Sequence, residues 1–293
     1  MIATADLAGL EAEVTAALRA RDASRLNLVG HGELSMVLGW PADEPRLACK
    51  RLPPFPSAGA FAAYAATVAR YIDELRAAGV DVLDTDVRAL DRPDGSVVGY
   101  HVQPFHPPQV LGTEILRRTD PNRGHPVLDQ SVAAVVRGTT DRRGVDAQMS
   151  NWLWLDERPV QLDLSTPFLL TAERRFAFDI TPFLASLPAA VRPVVRREME
   201  HLVERWTTPR GALLDMAANL LKERLDAWLP RALDVVNASV DPPITAAEAA
   251  KVHASDRRLW PVLLRLQRLD RWWQGAVRRR PYEFLLPDRT TYE

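Results

Sequence analysis

The sequence has one cysteine and lacks any long apolar run. With Cys49 alone, no disulfide can form within the chain. No stretch reaches the roughly 18 consecutive apolar residues that a membrane-spanning helix needs. The first residues include Asp6, Glu11 and Glu13, and this acidic start does not fit a secretory signal peptide. These absences lead us to expect a cytoplasmic protein.

The sequence also lacks an excess of charge of either sign. Its 37 basic and 38 acidic residues give a net charge of −1, which predicts no global attraction to nucleic acid or to a membrane. The six histidines show no metal-ligand spacing, so a structural zinc site is not expected. The chain does contain 47% hydrophobic residues in 293 positions, enough for the core of one large domain or two lobes. Its 23 prolines against 14 glycines indicate many helices separated by proline stops.

The chain begins with an amphipathic helix, which is predicted over residues 5–21. Leu7, Leu10, Val14 and Leu18 recur at intervals of three and four, so they share one face of this helix. We expect the apolar face to cover the back of the elements that follow.

Two strand-forming runs follow in residues 26–40, joined by a glycine turn. Gly30 and Gly32 begin a G-x-G-x-x-G-x-V pattern, in which Ser35 replaces the third glycine and Val37 is the valine. Such a loop can place its backbone N–H groups over phosphates because glycine has no Cβ to hold them away. A plain β-hairpin also accounts for two glycines, so both interpretations stay open.

A third strand is predicted over residues 46–52. Within it, Lys50 lies beneath the glycine turn, where a lysine can pair with the phosphates of a nucleotide. The alternative is an ordinary exposed lysine on a strand. Cys49 alternates with Lys50 and should face the opposite, apolar side, so we expect a core cysteine and not a nucleophile.

A proline-rich break at residues 53–56 separates this strand from a helix predicted over residues 61–78. The apolar face of that helix is formed by Phe61, Tyr64, Val68, Tyr71, Ile72 and Leu75. Residues 80–105 then predict two strands around the turn Arg92-Pro-Asp-Gly95, a sequence typical of hairpins.

Three polar residues frame a further predicted hairpin. Residues 152–155 form its first strand and residues 159–162 its second, with a charged turn between them. A hairpin brings its ends together, so Asn151 and Asp163 should be able to share one divalent ion, with Asp146 facing the same space. Mg²⁺ is usually held by such hard oxygen ligands, with water and phosphate completing its shell. The alternative is a turn capped by Asp146 and a polar hairpin end.

Taken in order, these motifs resemble the protein-kinase-like superfamily, in its aminoglycoside phosphotransferase and choline kinase branch. Asp146 and Asn151 keep the D-x-x-x-x-N spacing of the catalytic loop, and Asp163 occupies the position of the aspartate of D-F-G. Ala48 and Lys50 lie where kinases carry V-A-I-K. The order of all the motifs matches that of the family.

The resemblance, which covers residues 25–170, implies an α+β protein with a two-lobed protein-kinase-like fold. Residues 1–105 would form a small antiparallel β lobe and residues 106–293 a larger helical lobe. It also implies ATP and Mg²⁺ as cofactors. The implied nucleotide-binding residues are Gly30, Gly32, Val37, Ala48, Lys50, Glu74, Val102 and Gln103, the metal ligands Asn151 and Asp163, and the catalytic base Asp146. In this scheme Glu74 pairs with Lys50, and the backbone at residues 102–104 meets the adenine.

The implied activity is transfer of a phosphoryl group to a hydroxyl of a small molecule. The segment after Asp163 is short and apolar, which argues against a platform for protein substrates. The sequence departs from the family at Gly144, where a histidine is common, and at Leu164 and Ser165, where Phe-Gly is usual. These departures favour the main alternative, a pseudokinase that binds nucleotide or acts as a scaffold. An unrelated α+β protein is the third interpretation.

The rest of the chain is predicted to be helical. Helical periodicity marks residues 127–137, 193–206, 211–229, 245–253 and 259–277. The run 257–280 combines arginines with Trp260, Trp272 and Trp273, and could bind an acidic surface such as anionic lipid or a phosphorylated partner. More often, a basic amphipathic helix packs on its own protein and exposes a solvated face, which is the alternative here.

Overall fold

The architecture combines a small antiparallel sheet with many helices. The structure is a computed structural model that describes residues 2–31, 36–279, 282–284 and 286, without the side chains of residues 31, 200–202, 204 and 260. Gly32 and Ser35, two positions of the predicted glycine loop, therefore lie outside the described residues. Within the described ranges, no helix is long and apolar enough to cross a membrane.

The elements follow the predicted order. The strands are β1 (Leu28–His31), β2 (Met36–Trp40), β3 (Leu47–Phe55), β4 (Asp86–Asp91), β5 (Val97–Pro104), β6 (Trp152–Leu155) and β7 (Arg158–Gln161). The helices are α1 (Thr4–Ala20), α2 (Ala58–Ala77), α3 (Gly112–Arg118), α4 (Pro126–Gly138), α5 (Arg192–Trp206), α6 (Pro209–Lys222), α7 (Leu229–Asn237) and α8 (Ala246–Trp272). The first five strands form one antiparallel sheet in the order β1-β2-β3-β5-β4, and β6 pairs with β7 in a separate hairpin.

The first helix, α1, covers one face of the five-stranded sheet. Its buried residues Leu7, Leu10 and Val14 belong to the same hydrophobic cluster as Leu38 and Cys49 of the sheet. The prediction that this helix covers the elements after it is therefore confirmed. Burial raises the pKa of the Cys49 thiol to about 12, so the thiol stays neutral and behaves as a core side chain.

The second helix, α2, covers the opposite face of the sheet. Its predicted apolar face is buried, and the side chain of Ser57 caps its first turn. Strand β3 runs on through Pro53 and Pro54, so the predicted break at residues 53–56 is wrong. The ladder with β5 is irregular between Arg51 and Pro54, and such a site tolerates prolines because no N–H group is needed there for pairing.

A buried cluster of charges lies between α1 and the sheet and reaches residues far along the chain. Arg51 donates to both carboxylate oxygens of Glu11 at 2.8 and 2.9 Å, and Tyr100 donates to the same carboxylate at 2.6 Å. Arg51 also donates to the backbone oxygen of Glu283 at 2.9 Å, and Arg92 donates to both carboxylate oxygens of that residue. These five residues, termed the arginine–glutamate cluster, tie α1, the sheet and the segment around residue 283 together.

The helix predicted over residues 211–229 is interrupted in the structure. Helix α6 ends at Lys222, and α7 begins a few residues later. Arg224 adopts a left-handed conformation with a φ of 58°, and Leu225 N–H turns back to Leu220 O at 2.8 Å, which closes the helix. The short helix α3 was not predicted, since its seven residues are too few to show a clear period.

The last helix, α8, is longer than predicted. The helices predicted over residues 245–253 and 259–277 are parts of this one helix, which continues through Pro261 and ends in a π-helical turn. A capping box between Thr245 and Glu248 fixes its start. The polar residues between the two predicted helices lie mostly on an exposed face, so they interrupt the apolar pattern without ending the helix.

Candidate functional site

The β6–β7 hairpin brings together residues that the sequence singled out. Leu162 N–H donates to Asn151 O at 2.8 Å, so Asp163, the next residue, lies close to Asn151 at the open end of the hairpin. Gln161 Nε2 donates to the backbone oxygen of Asp146 at 3.1 Å and holds the preceding loop against the second strand. The predicted strand–turn–strand arrangement is thus present, with the second strand one residue earlier than expected.

Asp163 connects this hairpin to the five-stranded sheet. Lys50 Nζ donates to its Oδ2 at 2.6 Å, and the N–H and hydroxyl groups of Ser165 donate to its Oδ1 at 3.0 and 2.7 Å. Burial alone would raise the pKa of this carboxyl, but the Lys50 charge and these hydrogen bonds hold it well below its usual range. Asp163 is therefore ionised at neutral pH, and its side chain keeps 31% of its surface open to solvent.

Asp146 lies in the loop before the hairpin. Burial and the negative charge of Asp163 raise its pKa, whereas hydrogen bonds from Gln148 N–H, at 3.3 Å, and from Asn151 oppose the rise. The two carboxyl groups are therefore near enough for the charge of one to affect the other. Because their pKa values shift in opposite directions, Asp163 stays charged and Asp146 is the group that exchanges a proton nearer to neutral pH.

One face of the sheet points toward these acids. Side chains alternate along a strand, so residues paired directly across the ladder share a face. The residues of this face that were predicted to contact a nucleotide are Val37, Ala48, Lys50 and Gln103. The first three are half-buried. Gly30 pairs with Val37, and a Cβ there would meet that side chain at an ordinary 3.6 Å, so the close packing at this position does not require glycine.

The backbone of the predicted hinge is held by the sheet. Phe105 N–H donates to Arg46 O at 2.9 Å. Since hydrogen-bonded pairs alternate along an antiparallel ladder, the backbone of Gln103 bonds to Ala48, and that of Val102 faces β4. The Val102 side chain is buried on the α1 side. The predicted adenine contacts through the backbone of Val102 and Gln103 are therefore wrong, because neighbouring strands already use these groups.

Glu74 is not the partner of Lys50. Its carboxylate lies 3.5 Å from Arg143 and 3.7 Å from Arg70, and Arg143 also donates to its backbone oxygen at 2.9 Å. Glu74 belongs to the last turn of α2 and faces the loop that precedes Asp146, whereas Lys50 is bonded to Asp163. The predicted Glu74–Lys50 pair is therefore wrong, because α2 presents a different residue to the site.

The α2 residue that reaches the site is Tyr64. Its hydroxyl donates to Ser165 O at 2.8 Å and lies 3.0 Å from His101 Nε2. Since a hydroxyl has one proton, His101 is the donor of the second bond. Burial and the charge of Lys50 lower the pKa of His101 to about 3, so its ring is neutral. Sequence reasoning missed the role of both residues, because Tyr64 fits the apolar face of its helix and a single histidine in a strand does not by itself indicate a site.

The end of α6 supports the loop that carries Asp146. Ser150 N–H donates to Glu223 Oε1 at 3.0 Å, and Lys222 Nζ donates to Gln148 Oε1 at 3.4 Å. Burial raises the pKa of Glu223, although the bond from Ser150 opposes this rise. Because α6 ends early, the side chains of Lys222 and Glu223 can face the loop. The predicted continuous helix over residues 211–229 gave no reason to expect these contacts.

Asp215 lies on α6 and makes stability depend on pH. Burial raises its pKa to about 7, and the negative charges of Asp146 and Asp256 add to this rise. The positive charge of Arg205, at 3.4 Å, opposes it. From about pH 4 to about pH 7 the folded protein holds a proton that the unfolded chain has lost. The free energy of unfolding should therefore fall as the pH rises through this window and level off above it.

The variant Asp215→Asn should remove this part of the pH dependence. At pH values above the window it should stabilise the protein by at most about 4 kcal/mol, the value of three pKa units. Urea denaturation of wild type and variant across the window measures the difference between the two curves. Asp156→Asn, at an exposed position, is the control, and its free energy of unfolding should follow that of wild type across the window. If the free energies of unfolding of wild type and Asp215→Asn differed by the same amount at every pH in the window, the prediction would be contradicted.

Comparison with known proteins relates the chain to one family. No curated protein matches the sequence. Among solved structures, the chain is similar to the MAP kinase LmaMPK10 from Leishmania major, at 15% identity over 99% of this chain and 91% of that chain, with a TM-score of 0.29, too low for any inference. The model of DUF6206, a family of unknown function, matches residues 9–271. The chain therefore belongs to the DUF6206 family.

Proposed function

We propose that the protein is a kinase-like phosphotransferase that uses ATP and Mg²⁺ to phosphorylate a hydroxyl of a small molecule. One observation carries this proposal: Lys50 Nζ and Asp163 Oδ2 lie 2.6 Å apart and join the half-buried face of the sheet to the hairpin of Asn151. Beside this bond lies Asp146, a carboxyl with a raised pKa. A fixed cation, hard oxygen ligands and a proton acceptor are the groups that phosphoryl transfer needs.

The proposed two lobes meet at this bond. Residues 1–105 contain the five-stranded sheet with α1 and α2, and residues 106–293 contain the β6–β7 hairpin and the later helices. Lys50 belongs to the first part and Asp163 to the second. Such a division into a small β lobe and a larger helical lobe is the one that the kinase-like fold has.

The residues at this site fit Mg²⁺ together with a nucleotide. Asp163 offers an ionised carboxylate and Asn151 an amide oxygen. Among the described residues, no group of three or more His, Cys, Asp or Glu could hold a metal ion, and a two-ligand set suits Mg²⁺, which keeps water and phosphate oxygens in its shell. Mg²⁺ bound there would neutralise the charge of the phosphates. Lys50, with Val37 and Ala48 beside it, would hold the nucleotide.

The residues of the chain have separate roles in this proposal. Asp146 accepts the proton of the acceptor hydroxyl at its carboxylate, and a raised pKa suits a base that works near neutral pH. Asn151 donates a hydrogen bond to Asp146 and so orients that carboxylate. Lys50 supplies positive charge from the sheet. Tyr64 holds the backbone of Ser165 and thereby positions the metal ligand two residues before it.

The segment after Asp163 supports a small molecule as the acceptor. Several of its apolar side chains are part of the main hydrophobic core, among them Phe168, Leu169, Phe178 and Phe183. The ring of Phe183 packs edge-on against Phe55 of β3, with ring centroids 6.3 Å apart. A segment anchored in this way does not offer an exposed platform for a protein substrate.

Thermal unfolding with nucleotide tests the proposal. ATP with Mg²⁺, at a hundredfold excess over its dissociation constant, should stabilise the protein by about 2.7 kcal/mol, a rise in Tm of roughly 4–5 °C for a chain of this length. Asp163→Asn should lose the magnesium-dependent part of this rise because it removes the charged ligand. The matched control is Asp156→Asn, in the exposed turn of the same hairpin, where asparagine tolerates the left-handed backbone. The control should keep the full rise.

A pseudokinase is the second candidate. Lys50 already has a carboxylate partner in Asp163, and Glu74 is held by Arg143, so the lysine–glutamate pair that kinases carry is absent among the residues that the structure describes. A rise in Tm that is equal with and without Mg²⁺, and equal in Asp163→Asn, would favour a protein that binds nucleotide without transfer. No rise with any nucleotide would contradict the phosphotransferase and favour a scaffold.

A further inference from the structure

We infer that one face of α8 binds the surface of an anionic lipid bilayer. This inference does not depend on the proposed catalytic function. The face consists of exposed side chains that recur at intervals of three and four residues from Arg258 to Trp272, together with Trp273, which follows Trp272. These residues are Arg258, Val262, Arg265, Leu269, Trp272 and Trp273, termed the α8 basic face.

The apolar members of the α8 basic face are exposed to an unusual degree. The accessible fractions are 48% for Val262, 55% for Leu269, 58% for Trp272 and 48% for Trp273. Single exposed apolar residues are common on proteins, but several on one line of a helix mark a surface that another molecule covers.

The charges of the α8 basic face are all positive. The acidic residues of α8 are Glu248, Asp256 and Asp270, and none of them belongs to this face. Glu248 caps the start of the helix and bonds to Arg210 at 2.8 Å, Asp256 is half-buried, and Asp270 is buried. Charge complementarity therefore requires an anionic partner.

A bilayer fits this combination better than a protein does. Tryptophan rings are favoured at the level of the lipid headgroups, and arginines placed between apolar residues can reach phosphates while Val262 and Leu269 enter the acyl boundary. The line from Arg258 to Trp272 extends about 20 Å along α8, so its residues can contact one membrane surface together. A second copy of this chain is a poor occupant because like charges would meet.

A cleft beside the two tryptophans extends this surface. It has a volume of about 360 Å³, and its lining includes Trp272, Trp273, Arg192, Arg278 and the largely buried Asp270. Arg192 already donates to the backbone oxygens of Leu187 and Ala185, so Arg278, which is exposed, is the arginine of this lining that can meet a lipid phosphate. The cleft and the α8 basic face adjoin, so both can contact the same membrane surface.

Cosedimentation of the full chain with vesicles tests the inference. Vesicles of equal parts phosphatidylcholine and phosphatidylglycerol should bind about tenfold more protein than pure phosphatidylcholine vesicles, and added salt should reduce the difference. The pairs Trp272→Ser with Trp273→Ser, and Arg258→Gln with Arg265→Gln, should each lower binding about fivefold or more. The control pair Arg46→Gln with Arg158→Gln removes two other exposed arginines, whose side chains are 79% and 62% accessible, and should bind as wild type does.

Several outcomes would overturn the inference. Equal binding to both kinds of vesicle, or undiminished binding of both variant pairs, would do so. It would also fall if polyglutamate changed the tryptophan fluorescence of the wild type while no vesicle bound, because the face would then recognise an acidic protein. Melting curves of all variants establish that they are folded, and if one pair fails to fold, the other pair decides.

Discussion

In the proposed reaction, phosphoryl transfer should fall about 10²- to 10⁴-fold when Asp146 is replaced by asparagine, while nucleotide binding is retained. Asparagine has the same size, and its amide oxygen can still accept the bond from Gln148 N–H. It cannot take a proton from an acceptor hydroxyl, so the proposed chemical step would lose its base. Release of ADP in the presence of a mixture of small alcohols measures the turnover, and the nucleotide-induced rise in Tm measures binding.

Two further variants make this result specific. Asp156→Asn, the exposed control in the hairpin turn, should keep wild-type turnover. Asp163→Asn should lose both turnover and magnesium-dependent nucleotide binding, whereas Asp146→Asn should lose turnover alone. This difference distinguishes the proposed metal ligand, Asp163, from the proposed base, Asp146. Undiminished turnover in Asp146→Asn would contradict the role given to this residue. Loss of nucleotide binding in the same variant would indicate that Asp146 shapes the site instead.

Replacing Arg51 with methionine should lower the free energy of unfolding by about 3–5 kcal/mol. The Arg51 side chain is 2% exposed and makes two bonds, of 2.8 and 2.9 Å, to Glu11. Burial would raise the pKa of Glu11, and Arg51 is the main reason that it is lowered instead. Without Arg51, the buried carboxylate keeps Arg92 as its cationic partner and is left under-compensated. Urea denaturation at neutral pH measures the loss.

Two controls separate lost charge from lost packing. Glu11→Gln combined with Arg51→Met removes the buried carboxylate as well, so the double variant should regain part of the loss. Arg46→Met, just before the same strand but with a side chain that is 79% accessible, should cost less than about 1 kcal/mol. If Arg51→Met cost no more than Arg46→Met, the arginine–glutamate cluster would contribute no net stability.

The hairpin at the candidate site was predictable because its determinants are local. Two apolar runs around a charged turn fix the pairing of β6 and β7, and this pairing brings Asn151 close to Asp163. Alternation along β3 likewise assigns Cys49 and Lys50 to opposite faces. Cys49 is buried on the α1 side, and Lys50 is bonded to Asp163 on the other.

The details that the sequence did not reveal depend on how elements meet. Glu74 and Tyr64 lie on the same helix, and the way that helix packs decides that Tyr64 reaches Ser165. Val102 and Gln103 come at the expected place in the chain, but the alternation of the ladder directs their backbone groups into the sheet. Arg224 ends a helix in a left-handed conformation without being a glycine, so it gave no stop signal.

The arginine–glutamate cluster also has a consequence for how the protein is made. Arg51 is synthesised 232 residues before Glu283. At a translation rate of about 5–20 residues per second, this interval lasts roughly 10–50 s. During it, α1 and the sheet can form with Glu11 in place but without the second glutamate. The nascent N-terminal part thus emerges with Arg51 and Arg92 lacking one of their two glutamate partners until the distant segment arrives.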